Sequence, residues 1–229
     1  KYDLVHIHGN SHTVAIELLA SWIGGCRTRI VHSHNTYCKE KILHCILTPI
    51  FNMLCKCRIA CGTAAGKFMY GKYPFTVIHN GVDTERFSFN ELNRQNLRDY
   101  YKWDKKTVIG HVGTLCLEHK NQNFLLDLFY ELYKSDHNYH LCLVGDGDDK
   151  EKILCRISEL HLEKNVTLVG SVADVERYLS AFDVIVMPSN YEGLPLSLIE
   201  EQSNGLSCIV SDVITSEVNL TQNVYFLSL

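Results

Sequence analysis

Three groups of residues have the types and spacing to do chemistry. In YEGLPLSLIEEQSNG, Tyr191 to Gly205, Glu192 and Glu200 stand eight positions apart across a loop and the start of a helical pattern. Pro195 suits the first helical turn, because its missing N–H would have no partner there in any case. Glu192 then falls in the loop against the helix start, where the helix dipole favours its charge. Glu200 falls one to two turns inside. Carboxylates so placed can accept hydrogen bonds from a polyhydroxylated ligand; the plainer reading is a dipole partner and a surface glutamate.

In HVGTLCLEHKNQNFLLDLF a buried-type strand ends at Gly113, a loop carries Lys120, and a helix begins near Asn121 or Gln122. The free N–H groups of a helix start can receive phosphate. A lysine beside them adds about 4 kcal/mol of gross attraction per phosphate charge at ~4 Å and an effective dielectric of ~20, much of it repaid in desolvation. The alternative is a solvated surface lysine. HLCLVGDGDDK places Gly145 and Gly147 at another strand end, where a ligand could approach the backbone. It matches neither G-x-G-x-x-G nor G-x-x-x-x-G-K-[ST], so dinucleotide-redox and P-loop chemistry gain no support.

The third group is imidazole. VHIHG and VHSHN each put two histidines on one face of a strand. Two such strands side by side could make a four-histidine zinc site, or the rings could pack in the sheet. A single His34, last on its strand, is expected to point into a cleft. CKCRIAC has C-x-C and C-x₃-C spacing, but Arg58–Cys61 reads as a buried strand. The ten cysteines are scattered through apolar segments, as reduced core residues are, so a reducing, cytoplasmic setting is expected.

These residues need elements to position them. DLVHIH, TRIVHS, CRIAC and FTVIHN read as strands, with helical patterns over 13–23, 41–55 and 64–71 between them. After a polar helix at 90–102 the pattern restarts with TVIGHVG, YHLCLVG, NVTLVG, DVIVMPS and LSCIVS. Strands alternating with helices at this spacing predict parallel sheets of βαβ units. The expected fold class is α/β with two Rossmann-like parallel-sheet domains: an incomplete one over 1–82, a linker and connecting helix over 83–104, and a second domain over 105–229. The chain begins at Lys1 without a methionine and ends inside a strand pattern, so both ends are expected to be cut from a longer protein. In open parallel sheets, ligands bind outside the carboxyl ends of the strands, and His34, Gly113, Gly145 and Glu192 all fall there.

Composition narrows the function classes. A 46% hydrophobic and 21% charged chain of 229 residues can bury a sizeable core. The net charge of −4 gives nucleic acid no general attraction, and no apolar run is long enough to span a bilayer. Residues 1–80 carry nine Lys/Arg against three Asp/Glu, and the remainder thirteen against twenty-three. Lys39–Arg58 has apolar residues at 42, 43, 46, 47, 50, 51 and 54, a helical stripe with basic ends that Pro49 should interrupt. It reads either as a core-packing helix or as a basic amphipathic helix touching anionic lipid.

Together these motifs resemble one family. PSNYEGLPLSLIEEQSNG matches the E-x₇-E motif of retaining nucleotide-sugar glycosyltransferases of the GT-B fold, and VIHNGVD, HVG…HKN, LVGDGD and VGSV follow in the family's order. The nearest likeness is to bacterial transferases that build capsular or exopolysaccharide units on a lipid carrier. The resemblance implies a UDP-sugar donor and a lipid-linked saccharide acceptor. It implies that Glu200 binds the ribose hydroxyls, Glu192 contacts the transferred sugar, and the backbone at Gly193 and Leu194 lines the sugar and phosphate pocket. Lys120 would meet the diphosphate, with Gly113, Thr114 and Asn121 also donor-binding; Gly145, Ser171 and Val172 would border the base. His34 would lie near the reacting carbon. No metal or other cofactor is expected, and the protein is expected at the inner face of the cell membrane. The family commonly has arginine where this chain has Thr114, and the loop before Lys120 is one residue longer, so one diphosphate cation is missing from the pattern. The fragment is expected to be inactive by itself. A UDP-sugar epimerase of the same fold and an inactive UDP-sugar-binding homologue are the alternatives.

Overall fold

The structure, a computed structural model, describes residues 2–229. The chain forms two compact units: one runs to Asn80 and takes in Tyr191–Leu194, and the other comprises Gly81–Asn190 and Pro195–Leu229.

The first unit is a four-stranded parallel sheet. Its elements are β1 (Leu4–His8), α1 (Ala15–Ile23), β2 (Thr28–Ser33), α2 (Lys41–Leu54), β3 (Cys57–Ala60), α3 (Thr63–Tyr70) and β4 (Thr76–Val77), with spatial order β1-β2-β3-β4. Val31, Ile59 and Ala60 of the strands are buried with Leu18, Phe51, Leu54 and Met69 of the helices. FTVIHN supplies only a two-residue strand.

Helix α2 runs unbroken through Pro49, contrary to the expected interruption. A proline costs one i→i−4 bond, but the turn around it is held in other ways. The hydroxyl of Thr48 donates to the His44 carbonyl at 2.9 Å, and Thr48 Oγ1 lies 2.8 Å from Nδ1 of buried His12. The next turn then buries Phe51 and Leu54. The apolar stripe is divided: Ile42, Ile46, Ile50 and Met53 remain exposed.

The second unit contains α4 (Glu91–Tyr101), β5 (Thr107–Val112), α5 (Leu117–Lys120), α6 (Gln122–Ser135), β6 (Tyr139–Val144), α7 (Lys150–Glu159), β7 (Val166–Gly170), α8 (Val175–Ala181), β8 (Val184–Met187), α9 (Leu196–Ser203), β9 (Ser207–Ser211) and β10 (Val224–Leu227). Its six strands are ordered β10-β9-β8-β5-β6-β7, every pair parallel. Chain direction across the sheet reverses between β5 and β8, the doubly wound arrangement that opens a crevice at those two carboxyl ends. Ile109, Leu141, Leu143 and Val186 of the strands pack with Leu125, Leu126, Phe129, Ile153 and Ile157 of α6 and α7. Gly110 is required at the centre of β5, since a Cβ there would overlap the Phe182 ring.

Helix α4 is fastened to this unit. Asp183, at the entrance to β8, accepts from Arg98 Nη1 at 3.1 Å and from the Val108 amide at 2.7 Å, and pairs with Arg94. Arg98 also donates to the Ala181 and Trp103 carbonyls, each at 2.9 Å. Burial alone would raise the Asp183 carboxyl; the Arg94, Val108 and Arg98 bonds outweigh it and hold the group below the usual carboxylate range. None of the ten cysteines is disulfide-bonded. Among the described residues no helix is long and apolar enough to cross a membrane.

Candidate functional site

In the second unit the loops at the carboxyl ends of β5, β6 and β7 are bound to one another. Gly113 N donates to Val144 O at 3.0 Å, Leu115 N to Asp146 O at 3.1 Å, and Gly145 N to Gly170 O at 2.9 Å. Gly145 sits at φ +142°, and a Cβ on it would overlap the Gly113 carbonyl. Only glycine lets these two loops approach so closely.

Lys120 is 7% exposed, so it is not a solvated surface lysine. Its stem folds back over Gly113: a Cβ at that glycine would lie 3.1 Å from Cε and 3.6 Å from Nζ. The cation is thereby held against the end of β5. Asn121 takes the left-handed conformation (φ 56°) between α5 and α6, and α6 starts without a side-chain cap. The loop is braced from beneath. Gln122 Nε2 donates to the Thr114 carbonyl at 2.9 Å and lies 3.4 Å from Nε2 of His111, whose Nδ1 is 2.9 Å from Val186 O. Asn190, following β8, donates through its amide to His119 O and through its side chain to Glu118 O, each at 2.8 Å. The β8 loop and the β5 loop, which flank the crevice, are thus joined directly.

Pro195 is the N-cap of α9 rather than its first residue, with ψ 120°. Glu200 lies within the second turn of α9. Burial raises its carboxyl above the ordinary range; Arg86 pulls it down and Glu176 adds to the rise. Arg86 pairs with Glu176 at 3.0 Å and donates to the Ala173 carbonyl at 2.9 Å, which ties it to the segment just after Ser171 and Val172.

The other predicted residues belong to the first unit. Thr36 Oγ1 donates to the Glu192 carbonyl at 2.9 Å, and Asn80 Nδ2 to the Leu194 carbonyl at 3.1 Å. Gly193 lies directly on the His34 backbone, where a Cβ would overlap the His34 carbonyl. The rings of Tyr37 and Tyr191 meet at 4.6 Å. Glu192 and Leu194 are buried. His34 follows the last residue of β2, with Nε2 2.8 Å from His8 Nδ1. Burial and then the neighbouring His8 lower its basicity, partly offset by Asn80. His32, desolvated and surrounded by three other imidazoles, falls to about 4.

The predicted residues therefore form two sets. Gly113, Thr114, Lys120, Asn121, Gly145, Ser171, Val172 and Glu200 lie in the second unit, and His34, Glu192, Gly193 and Leu194 in the first. Sequence reasoning missed Arg86, Gln122, His111 and Asn190. A buried-type histidine inside TVIGHVG, level with nothing polar in its own strand, was the one available signal; the rest are ordinary loop residues until the fold assembles them.

The chain matches the family described as Glycosyl transferases group 1 over residues 93–223. It is 32% identical over 231 residues to EpsF of Bacillus subtilis, which carries a glycosyltransferase name, covering 95% of this chain and 59% of that protein. It is 30% identical to the UDP-Gal:alpha-D-GlcNAc-diphosphoundecaprenol alpha-1,3-galactosyltransferase of Escherichia coli, covering 93% of this chain and 58% of that one. The chain thus spans about three fifths of the length of these relatives. Among solved structures, Anabaena Alr3699/HepE in complex with UDP and glucose superposes with a TM-score of 0.84 at 20% identity, over 99% of this chain and 64% of that one. That likeness extends the two-sheet Rossmann-like fold to a known architecture.

Proposed function

This chain belongs to the group 1 glycosyl transferases, and on that premise we propose that it moves a hexose from a UDP-sugar to a lipid-linked saccharide in capsule or exopolysaccharide assembly. The observation that carries the reading is Lys120, buried against Gly113 at the carboxyl end of β5, beside the reversal point of the sheet. A fixed cation at that place suits a diphosphate. Names of relatives agree with it: one is a UDP-galactose-dependent transferase acting on a diphosphoundecaprenol-linked sugar, and another, of Staphylococcus aureus, is named for capsular polysaccharide biosynthesis.

In this proposal Lys120 and the uncapped start of α6 take the leaving diphosphate, with Gly113, Thr114 and Asn121 lining its path. Electrostatic stabilisation of this kind needs no metal. Glu200 accepts from the ribose hydroxyls, and Gly145, Ser171 and Val172 border the base. Glu192 binds the transferred sugar, the backbone at Gly193 and Leu194 lines its pocket, and His34 stands by the reacting carbon. Anomeric configuration is retained. The Thr114 carbonyl accepts from Gln122, which fixes the backbone of the loop at that residue. The exposed apolar face of α2, bordered by Lys39 and Lys41, would bring the protein to an anionic membrane from the cytoplasmic side.

The test is a calorimetric panel of UDP, UDP-glucose, UDP-galactose and UDP-N-acetylglucosamine on the full-length protein, followed by transfer to synthetic polyprenyl-diphosphate sugars. One UDP-sugar should bind, and transfer should require the acceptor. Lys120→Ala should lower kcat/KM by about 10²–10³-fold, the usual effect of losing one stabilising donor. A UDP-sugar converted to its epimer without acceptor would overturn the transferase reading; UDP binding without any turnover would leave a binding protein.

A further inference from the structure

The imidazoles of the first unit form a cluster that the donor reading leaves unused. Strands β1 and β2 pair in parallel with His8 level with His32, so His6 and His8, two apart on one strand, share a sheet face with His32. Each offers a ring nitrogen, and the three atoms lie within 4.8 Å of one another. The rings stand together, with centroids 4.4 Å apart for His6 and His8, 5.6 Å for His6 and His32, and 5.3 Å for His8 and His32. His32 is 8% exposed, and its Nε2 is buried with no hydrogen-bond partner. Buried polar atoms are nearly always paired, and an ion shared with the neighbouring imidazoles would satisfy this one.

We propose that His6, His8 and His32 hold a divalent transition-metal ion. Three imidazoles without a carboxylate suit zinc, copper or nickel and do not suit magnesium or calcium. Parallel strands in fixed register supply the rigidity that a loop-borne cluster would lack, and three ligands leave a fourth position for water. His8 can meet His34 through Nδ1, 2.8 Å from Nε2 of His34, while offering Nε2 to the ion. A metal on Nε2 then fixes the proton of His8 on Nδ1, so His8 donates to His34 and sets its tautomer. The inference rests on the imidazole geometry alone and stands or falls apart from the sugar-transfer reading.

The experiment is titration of chelator-treated protein with zinc chloride by calorimetry, with cobalt(II) absorption as a report on the ligands. One ion per chain is expected. His6→Ala and His8→Ala, both at exposed positions, should keep the fold by circular dichroism and weaken zinc binding by more than about 100-fold, beyond the 10- to 100-fold loss typical of outer partners. His34→Ala, which removes only an outer partner, should weaken it by about tenfold. Cys45→Ser and Cys155→Ser, which remove the exposed thiols, should leave it unchanged, and the cobalt spectrum should lack a thiolate charge-transfer band. No zinc binding, binding that survives both His6→Ala and His8→Ala, or a thiolate band would overturn the proposal.

Discussion

Glu200 is a carboxylate in a position that costs the fold. Burial raises its pKa, and Arg86 offsets this only in part. For an acid with a raised folded pKa, the ionised form destabilises the native state; its contribution worsens as pH rises through the folded value and vanishes below the unfolded one. Glu200→Gln should therefore melt higher than the parent at pH 7–8, with the gap closing as the pH is lowered. The same substitution should weaken UDP-sugar binding by about 10- to 100-fold, the range for a hydrogen bond to a charged group. Affinity of the parent should fall as acid protonates Glu200. A variant that is both less stable and equally tight would remove the ribose assignment. Gly145 shows the opposite relation, a residue kept for geometry alone. Gly145→Ala must place a methyl against the Gly113 carbonyl at φ +142°, and should lose about 2–4 kcal/mol of stability by denaturant titration. Wild-type stability in that variant would mean the β5 and β6 loops can part freely.

At the scale of elements, Asp183 decides whether α4 belongs to the second sheet. The carboxylate accepts from two arginines and one amide, and its pKa is depressed despite burial. A depressed folded pKa gives stability that is present above the unfolded value and is lost as pH falls through the folded one. Asp183→Asn should thus cost about 2–4 kcal/mol near neutrality, because it leaves Arg98 without its charge partner, and the deficit should shrink in acid. A deficit that does not change with pH would assign the effect to packing instead. This helix was legible in sequence, with Asn90 as its N-cap, but its attachment was not: Arg94 and Arg98 reach a partner 85 or more positions away. The strands were the most legible elements, because buried parallel strands read as apolar runs; TRIVHS is β2 residue for residue. Pro49 misled, since the His12 imidazole that meets the Thr48 hydroxyl beside it comes from outside the local pattern. The glutamates, the glycines and Lys120 announced themselves by spacing. The burial of Lys120 did not, as nothing in the loop says that its stem lies on Gly113. The three-histidine cluster depends on strand register, which two H-x-H pairs cannot specify.

Across the whole molecule, a positive charge balance and exposed apolar surface fall in the same third of the chain. Residues 1–80 carry nine of the twenty-two Lys/Arg but three of the twenty-six Asp/Glu. The same unit exposes Trp22, Ile23, Ile42, Ile46 and Met53, each more than half accessible. Neither feature alone implies a membrane, but together they supply both terms of interfacial binding, apolar burial and attraction to anionic headgroups. The two terms respond differently to salt. Each basic residue near an anionic surface contributes about 1 kcal/mol, and the attraction fades as the Debye length falls from ~10 Å at 0.1 M to ~3 Å at 1 M. Lys39→Gln with Lys41→Gln should therefore reduce partition to phosphatidylglycerol-containing vesicles by roughly 30-fold at low salt, and by little at 1 M. Ile42→Ser with Ile46→Ser should reduce it at every ionic strength, because burial of a hydrocarbon side chain, up to about 1.5–3 kcal/mol each, is not screened. Vesicle sedimentation across a salt series reads both. If the isoleucine pair changes nothing at any salt, the exposed face of α2 serves some other contact, and the proposed route to a lipid-linked acceptor fails with it.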